Sequence, residues 1–305
     1  MRVAILDLGT NTFNLLVADR VGEEFKVIET AREIVRLGEG GINNFLIEKT
    51  PFQRGLQALL VLSEVVKKHH VSTIRAFATS AIRDAKNGRL FIEQCYSLTG
   101  ITIEIITGDK EAELIYAGCR MAVEMDGDLE LLMDIGGGSV EFIIANSNEI
   151  RWRKSFRVGL ARLIDRFCPV DPISEKSVES IFSYLREELS EMVALCKSHK
   201  LKKMIGSSGA FESVASMVIL KETKEGNSDF GKLSYRVAIP DYVQVSSMIR
   251  SSTSLEREQI KGLVPMRRDM IVMSMLLIDF VIDSVGIEEL RVSSFSLKEG
   301  ALFEL

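Results

Sequence analysis

Sulfur and imidazole chemistry are nearly missing from this chain: its 305 residues include four cysteines and three histidines. Cys95, Cys119, Cys168 and Cys196 are widely scattered and form no C-x-x-C pair, which excludes a dithiol redox motif. They read as reduced thiols in packed or partly buried positions. His69, His70 and His199 each sit in a Lys-rich stretch resembling a solvated helix end, so zinc and histidine-dyad chemistry are excluded as well. No apolar run approaches the roughly 20 residues needed to span a bilayer. The best candidate, Met270–Ile282, contains Asp279 and follows Arg267-Arg268-Asp269. The first residues enter a strand at once, with no cleavable signal pattern, so a cytoplasmic location and no membrane partner are expected. Positive charge is in deficit too, and the net charge of −5 argues against broad nucleic-acid affinity. One basic stretch departs from this: Arg151, Arg153, Lys154, Arg157, Arg162 and Arg166, with Asp165 the only acid among them. It reads as an outward strand face followed by a helix.

What is present suits a large α/β protein. Hydrophobic residues make up 46% and charged residues 27% of a chain long enough for two cores, so two domains are expected. The informative feature is a phrase written twice, an apolar strand, an aspartate, a turn of glycine and hydroxyl residues, and a second apolar strand. The first copy is Val3-Ala4-Ile5-Leu6-Asp7-Leu8-Gly9-Thr10-Asn11-Thr12 and the second Leu131-Leu132-Met133-Asp134-Ile135-Gly136-Gly137-Gly138-Ser139, with the aspartates 127 positions apart. Glycines in a tight turn let backbone N–H groups converge, hydroxyls add donors, and an aspartate at the strand end suits a divalent metal or its water. A single Asp-x-Gly turn is as often plain hairpin punctuation. Two of them predict duplicated halves closing on one polyanion.

The elements around each copy repeat. Residues 2–8, 12–20 and 24–36 read as a strand meander, followed by a helix from Lys49 to His70, a strand at Thr73–Ala78, a helix at Asn87–Leu98 and a strand at Thr102–Ile106. A helix from Asp109 to Glu124 leads into the second meander, 129–134, 139–145 and 150–157. Ser174 caps a helix running to about His199, and a strand at Lys203–Ile205 enters Gly206-Ser207-Ser208-Gly209 and a helix from Ala210. Residues 221–233 read as a polar surface loop. Met266–Val285 reads as one apolar helix that is either core or a homodimer face. Leu290–Val292 is a last strand and Leu297–Leu305 a closing helix.

These motifs, in this order, resemble the Ppx/GppA family of exopolyphosphatases and guanosine pentaphosphate phosphohydrolases, within the actin-like ATPase superfamily. Beyond the two turns, the resemblance rests on Ala78-Thr79-Ser80-Ala81-Ile82-Arg83-Asp84-Ala85-Lys86-Asn87, Gly108-Asp109-Lys110-Glu111-Ala112-Glu113-Leu114-Ile115-Tyr116, Asp134 through Glu141, Gly206–Gly209, Arg267-Arg268-Asp269 and Ser296-Leu297-Lys298-Glu299-Gly300. It implies an α/β fold of two ribonuclease H-like domains with the active site in the cleft between them. We expect residues 1–124 and 125–305, the last helix packing back on the first domain, with closure about joins near Glu124 and Arg291.

The resemblance makes Glu111, the Glu of the Glu-Ala-x-Leu-Ile motif, the general base. Its place in the first turn of a helix, where the dipole favours the ionised form, agrees. Without the motif, the plainer reading is an acid that stabilises the helix start. Glu141 projects to the same strand face as Ser139 and shares the catalytic assignment, holding metal or orienting water. Asp7, Asp134 and Glu141 are the metal candidates, for Mg²⁺. Phosphate is assigned to Gly9, Thr10, Asn11 and Thr12, to Ser80 and Arg83, to Gly136, Gly137, Gly138 and Ser139, and to Gly206, Ser207, Ser208 and Gly209. Ser296-Leu297-Lys298 stands where the family commonly has Gly-Leu-Arg, and no His-Asp dipeptide marks the C-terminal metal domain of long members, which implies a short form. The expected reaction is release of terminal phosphate from inorganic polyphosphate, with the Arg151–Arg166 stretch guiding the chain. The alternative substrate is guanosine pentaphosphate, and further rivals are a superfamily kinase and a non-catalytic sensor.

Overall fold

In the computed structural model, which describes residues 1–22, 24–222 and 232–304, two α/β halves share one plan. The first comprises β1 (Arg2–Leu8), β2 (Thr12–Val21), β3 (Glu24–Ile34), α1 (Lys49–Lys68), β4 (Thr73–Ala78), α2 (Ser80–Asp84), α3 (Gly88–Thr99), β5 (Ile103–Ile105) and α4 (Gly108–Ala122). The second comprises β6 (Glu130–Ile135), β7 (Val140–Ala145), β8 (Ile150–Phe156), α5 (Leu160–Phe167), α6 (Glu175–Glu188), α7 (Ser190–Ser198), β9 (Lys203–Ser207) and α8 (Ser208–Glu222). It continues with β10 (Ser234–Val237), α9 (Ile239–Ser251), α10 (Ser254–Arg257), α11 (Ile271–Val285), β11 (Glu289–Ser293) and α12 (Leu297–Phe303). The sheets run β3-β2-β1-β4-β5 and β8-β7-β6-β9-β11-β10. Each is an antiparallel meander joined to parallel strands, which is the α/β duplication the sequence led us to expect.

Strand parity separates three cores. In β1, Ala4, Leu6 and Leu8 face outward onto α1 and α3, while Val3 and Ile5 face inward. In β6, Leu131, Met133 and Ile135 face outward and Leu132 inward. The inward faces of both sheets bury Val3, Ile5, Leu16, Leu132, Ile143 and Ile205 against α4 and α12, which therefore lie between the sheets. Residues 7 and 134 share that inward parity, so both aspartates point toward the space between the halves.

Helices α4 and α12 meet backbone to backbone. A Cβ on Gly118 would lie 2.1 Å from the Ser296 carbonyl oxygen, and one on Gly300 would lie 1.8 Å from that of Leu114. Helix α12 also packs on β1. Arg291, on β11, donates 2.6 Å to the Glu124 carbonyl and pairs with buried Glu130, so the two joins between the halves touch. Gly300→Ala should therefore cost about 3 kcal/mol and lower the melting temperature by roughly 6–12 °C. Gly127→Ala, with nothing within 4 Å, should leave it unchanged. Differential scanning calorimetry of the two variants checks this, and equal melting temperatures would show that α4 and α12 are free to part.

Three local expectations are corrected. The Ser174-capped helix breaks at Leu189 into α6 and α7, which lets Leu185, Leu189, Met192 and Cys196 all reach the core. The 266–285 helix begins only at Ile271, because Pro265–Arg267 forms a separate 3₁₀ turn whose flank is pinned by Arg36–Asp269 and Arg267–Glu212 ion pairs. Helix α11 is buried along nearly its whole length within the one chain, which is the core reading. Cys168 is exposed rather than packed. Of the expected 221–233 loop, residues 223–231 lie outside the described residues.

Candidate active site

The two written-twice turns close in the same way. Gly9 N–H donates to the Thr12 carbonyl at 3.0 Å, and Gly136 N–H donates to the Ser139 carbonyl at 3.0 Å. The turns also face each other. A Cβ on Gly137 would stand 2.5 Å from Asn11 Nδ2, and one on Gly138 would stand 2.6 Å from both Thr10 Oγ1 and Ser80 Oγ. Only glycine leaves room for that approach. Around it lies a cleft with a cavity volume of about 210 Å³.

Three buried polar atoms at the meeting point, Thr10 Oγ1, Asn11 Oδ1 and Ser80 Oγ, have no hydrogen-bond partner. Burying such groups unpaired costs about 1–3 kcal/mol each, so a ligand rich in hydrogen-bonding oxygens or N–H groups is the natural occupant.

Register explains how the carboxylates assemble. Directly opposed residues put side chains on one face, and a row crosses the second sheet: Ser207 on β9, Asp134 on β6, Glu141 on β7 and Ser155 on β8. The corresponding row in the first sheet is Phe77, Asp7, Asn14 and Arg32. Asp134 Oδ2 accepts from the hydroxyls of Ser207 and Ser296, the latter at 2.6 Å. Glu141 accepts from Ser155 Oγ at 2.6 Å and is also held by Ser139. Asp7 accepts from Asn14 Nδ2 at 3.2 Å, and Asn14 in turn accepts from Arg32 Nε at 2.8 Å. Thus corresponding rows cross the two sheets, with two acids in the second and one acid beside an asparagine and an arginine in the first.

Glu111 enters from α4, whose Thr107 cap accepts from Lys110 N–H at 3.2 Å. Its carboxylate accepts from Arg83 Nη1 at 2.7 Å, and Arg83 also donates to the Ile106 carbonyl. The helix-start argument predicted an ionised Glu111. Instead burial and then the charge of Glu141 hold its proton affinity well above the usual carboxylate range, outweighing both Arg83 and the dipole. Burial likewise pushes Glu141 up to about 7 and Asp7 to about 6, and raises Asp134.

These shifts carry a pH prediction. The folded protein binds more protons than the unfolded chain above about pH 4, so stability is fully present below that point and is lost as pH rises through 6 to 7. With a chelator present, the melting temperature should fall by several degrees between pH 5 and pH 8. A divalent cation should restore it at pH 8 and not at pH 5. A rising melting temperature over that window would contradict this account of the carboxylates.

Of the residues singled out in the sequence, Asp7, Gly9, Thr10, Asn11, Thr12, Ser80, Asp134, Gly136–Ser139, Ser208 and Gly209 line the cleft. Glu111, Glu141 and Arg83 form a hydrogen-bonded and electrostatically linked group beside it. Gly206 and Ser207 do not line it. Gly206 packs under Phe211, whose ring would lie 2.1 Å from a Cβ there, and the Ser207 hydroxyl is turned onto Asp134.

Five of the six basic residues of the stretch are engaged within the protein. Arg153 pairs with Glu113, Lys154 with Glu191, and Arg157 and Arg162 with Asp84, while Arg166 lies over the Tyr184 ring. Those acids come from elements remote in sequence, so the stretch looked uncompensated only in one dimension.

Sequence reasoning missed Asn14, Arg32, Met266 and Met270 as cleft residues, and named Arg267 and Lys298 only within motifs, without placing them in the site. Lys298 supplies positive charge to both Asp7 and Asp134. Asn11 Nδ2 donates to Met270 Sδ at 3.0 Å, and Arg32 faces Met266 Sδ at 3.9 Å. Strand register across β1, β2 and β3 was the available signal for Asn14 and Arg32. Nothing local marks the methionines.

Known proteins resemble this chain in fold and sequence. The crystal structure of an exopolyphosphatase from Cytophaga hutchinsonii superposes with a TM-score of 0.95 at 36% identity, covering 99% of this chain and 97% of that one. A guanosine-5'-triphosphate,3'-diphosphate pyrophosphatase from Aeromonas hydrophila is 24% identical over 302 residues, and a bifunctional 3-dehydroquinate synthase/phosphatase from Fusobacterium nucleatum is 30% identical over 313 residues. Each match covers 99% of this chain, which spans 59% and 46% of the length of those two curated relatives. The profile of the Ppx/GppA phosphatase family matches residues 16–305. With the second glycine turn and the Glu111 helix falling within that match, the chain belongs to the Ppx/GppA phosphatase family.

Proposed function

We propose that this protein hydrolyses the terminal phosphoanhydride bond of inorganic polyphosphate. The observation that carries the reading is the pair of facing glycine turns with three unpartnered polar atoms between them, flanked by Glu111 and Glu141. Thr10, Asn11, Thr12 and Ser80 grip the terminal phosphate from one side and Gly136–Ser139 from the other, through N–H groups and hydroxyls. Glu111 takes a proton from the attacking water. Its raised proton affinity suits it to this, since a carboxylate of higher proton affinity is a stronger base than a free one. Arg83 holds its carboxylate, and Ser155 with Ser139 holds Glu141 beside the water.

A divalent cation fits the donor set, because hard oxygens carried by Asp7, Asp134 and Glu141 are held in a region where burial disfavours their charge. Among the described residues no three acids converge as a ready-made metal cage, so waters and substrate phosphates would have to supply the rest of the coordination. When bound, Mg²⁺ supplies charge neutralisation to the transferred phosphoryl group.

A second reading, guanosine pentaphosphate, is favoured by the apolar wall of Met266, Met270 and Ile271 beside Arg32 and Arg267, which offers a nucleoside a surface that polyphosphate does not need. The proposal takes residues 1–124 and 125–305 as the two domains, and a cytoplasmic setting suits the free thiols. Among the described residues no helix is long and apolar enough to cross a membrane. Orthophosphate release from polyphosphates of several lengths and from guanosine pentaphosphate, with Mg²⁺, tests both readings. Faster release from polyphosphate supports the first, faster release from the nucleotide selects the second, and none from either substrate removes both.

A further inference from the structure

Arg162 is buried, with 5% of its surface exposed, and its guanidinium joins three separate segments. Nε donates to the Gly138 carbonyl at 2.8 Å, Nη1 to the Ile42 carbonyl at 2.9 Å, and Nη2 to Asp84 Oδ2 at 2.7 Å. The first partner belongs to the glycine turn of the second half, and the other two belong to the first half. Asn43 strengthens the same seam, donating to the Arg162 carbonyl at 3.1 Å and to Asp165 at 2.8 Å.

The Gly138 contact completes a set. Leu160 N–H donates to the Gly136 carbonyl and Ala161 N–H to the Gly137 carbonyl, so three successive carbonyls of the turn are tied to the start of α5. In a planar trans peptide the N–H points opposite to the C=O of the same unit. The N–H groups of Gly137, Gly138 and Ser139 are therefore directed away from α5. Backbone contacts within the second half fix two of these units. The third depends on a side chain that is itself anchored on the first half.

Asp84 connects that anchor to the rest of the site. It ends α2, whose other residues place Ser80 against Gly138 and Arg83 on Glu111. One five-residue helix thus carries a cradle hydroxyl, the group that holds Glu111, and the acid that grips Arg162.

We infer that Arg162 is a positioning residue: through Asp84 and Ile42 it senses that the halves are closed, and through Gly138 it sets the Gly138–Ser139 peptide for phosphate. The inference rests on the reading of residues 136–139 as a phosphate cradle. Lysine cannot replace it, because a point charge cannot serve three partners arranged in a planar fork.

The test uses the whole chain and compares wild type, Arg162→Lys, Arg162→Ala and Asp84→Asn. Calorimetric affinity for orthophosphate is read alongside kcat and KM on whichever substrate the wild type hydrolyses. Loss of one charge-assisted hydrogen bond should weaken orthophosphate binding about tenfold in Arg162→Lys, and less, in the same direction, in Asp84→Asn. The rate loss should fall in kcat, with KM for long polyphosphate changing less than about threefold, since the displaced peptide faces only the terminal phosphate. Methylguanidinium, but not methylammonium, should restore part of kcat to Arg162→Ala. Unchanged orthophosphate affinity in Arg162→Lys overturns the inference, as does a loss that no guanidinium rescues and that follows a lowered melting temperature. A wild type that releases phosphate from neither substrate defeats the functional reading alone, because the affinity comparison still decides the role of Arg162. A wild type that binds no orthophosphate defeats both.

Discussion

Glu111→Gln is expected to lower phosphate release at least about 10²-fold while leaving substrate affinity within a few-fold of wild type. Glutamine keeps the shape and still accepts the hydrogen bond that Arg83 Nη1 now donates to the carboxylate at 2.7 Å, so the local geometry survives. It cannot take a proton from water. The substitution should also leave the fold as stable or more stable at pH 8, because burial and the charge of Glu141 disfavour the ionised Glu111 carboxylate. That pairing of a large rate loss with an undiminished melting temperature separates a chemical role from a structural one. Steady-state kinetics and calorimetry on the same preparation check it, and residual activity above about one tenth of wild type would remove Glu111 as the base.

Gly138→Ala should be comparably damaging for a geometric reason. Its Cβ would lie 2.6 Å from both Thr10 Oγ1 and Ser80 Oγ and 2.9 Å from Ser80 Cβ, distances that real Cβ atoms do not tolerate. Both neighbours are short, buried side chains in the opposite half, so they cannot swing aside. Relief must come from parting the halves. Displacing reacting groups by about 1 Å commonly costs about 10²-fold, and kcat/KM should fall by that much or more. Small-angle scattering should show a larger radius of gyration, and the melting temperature should fall, because the core shared by the inward faces of both sheets is loosened. A variant with kcat/KM within about threefold of wild type would mean that the turns do not meet this closely during turnover.

Much of the site was legible before the fold. The two glycine turns, Asp7, Asp134, Ser139 and Glu141 follow from a strand–turn–strand pattern whose period-2 alternation fixes which side chains share a face, and Thr73–Ala78 appears as a strand with the expected bounds. The Glu111 helix was legible as well, since its acidic first turn is a local signal. The basic stretch misled for the converse reason: charge density along a chain says nothing about which acids the fold brings to meet it, and Asp84, Glu113 and Glu191 arrive from other elements. The protonation preference of Glu111 was likewise misjudged, because a helix dipole can be read from sequence whereas burial beside Glu141 cannot.

By itself, then, the sequence determined the duplicated α/β plan and its family, because strand periodicity, turn composition and motif order are local properties. Only the tertiary structure decided which groups meet across the cleft: Gly138 against Thr10 and Ser80, Arg83 on Glu111, Arg162 between Asp84 and the glycine turn, and the methionines beside Asn11 and Arg32. Those contacts join residues separated by tens to hundreds of positions, and what fixes them is the packing of two sheets about α4 and α12, which no local pattern encodes.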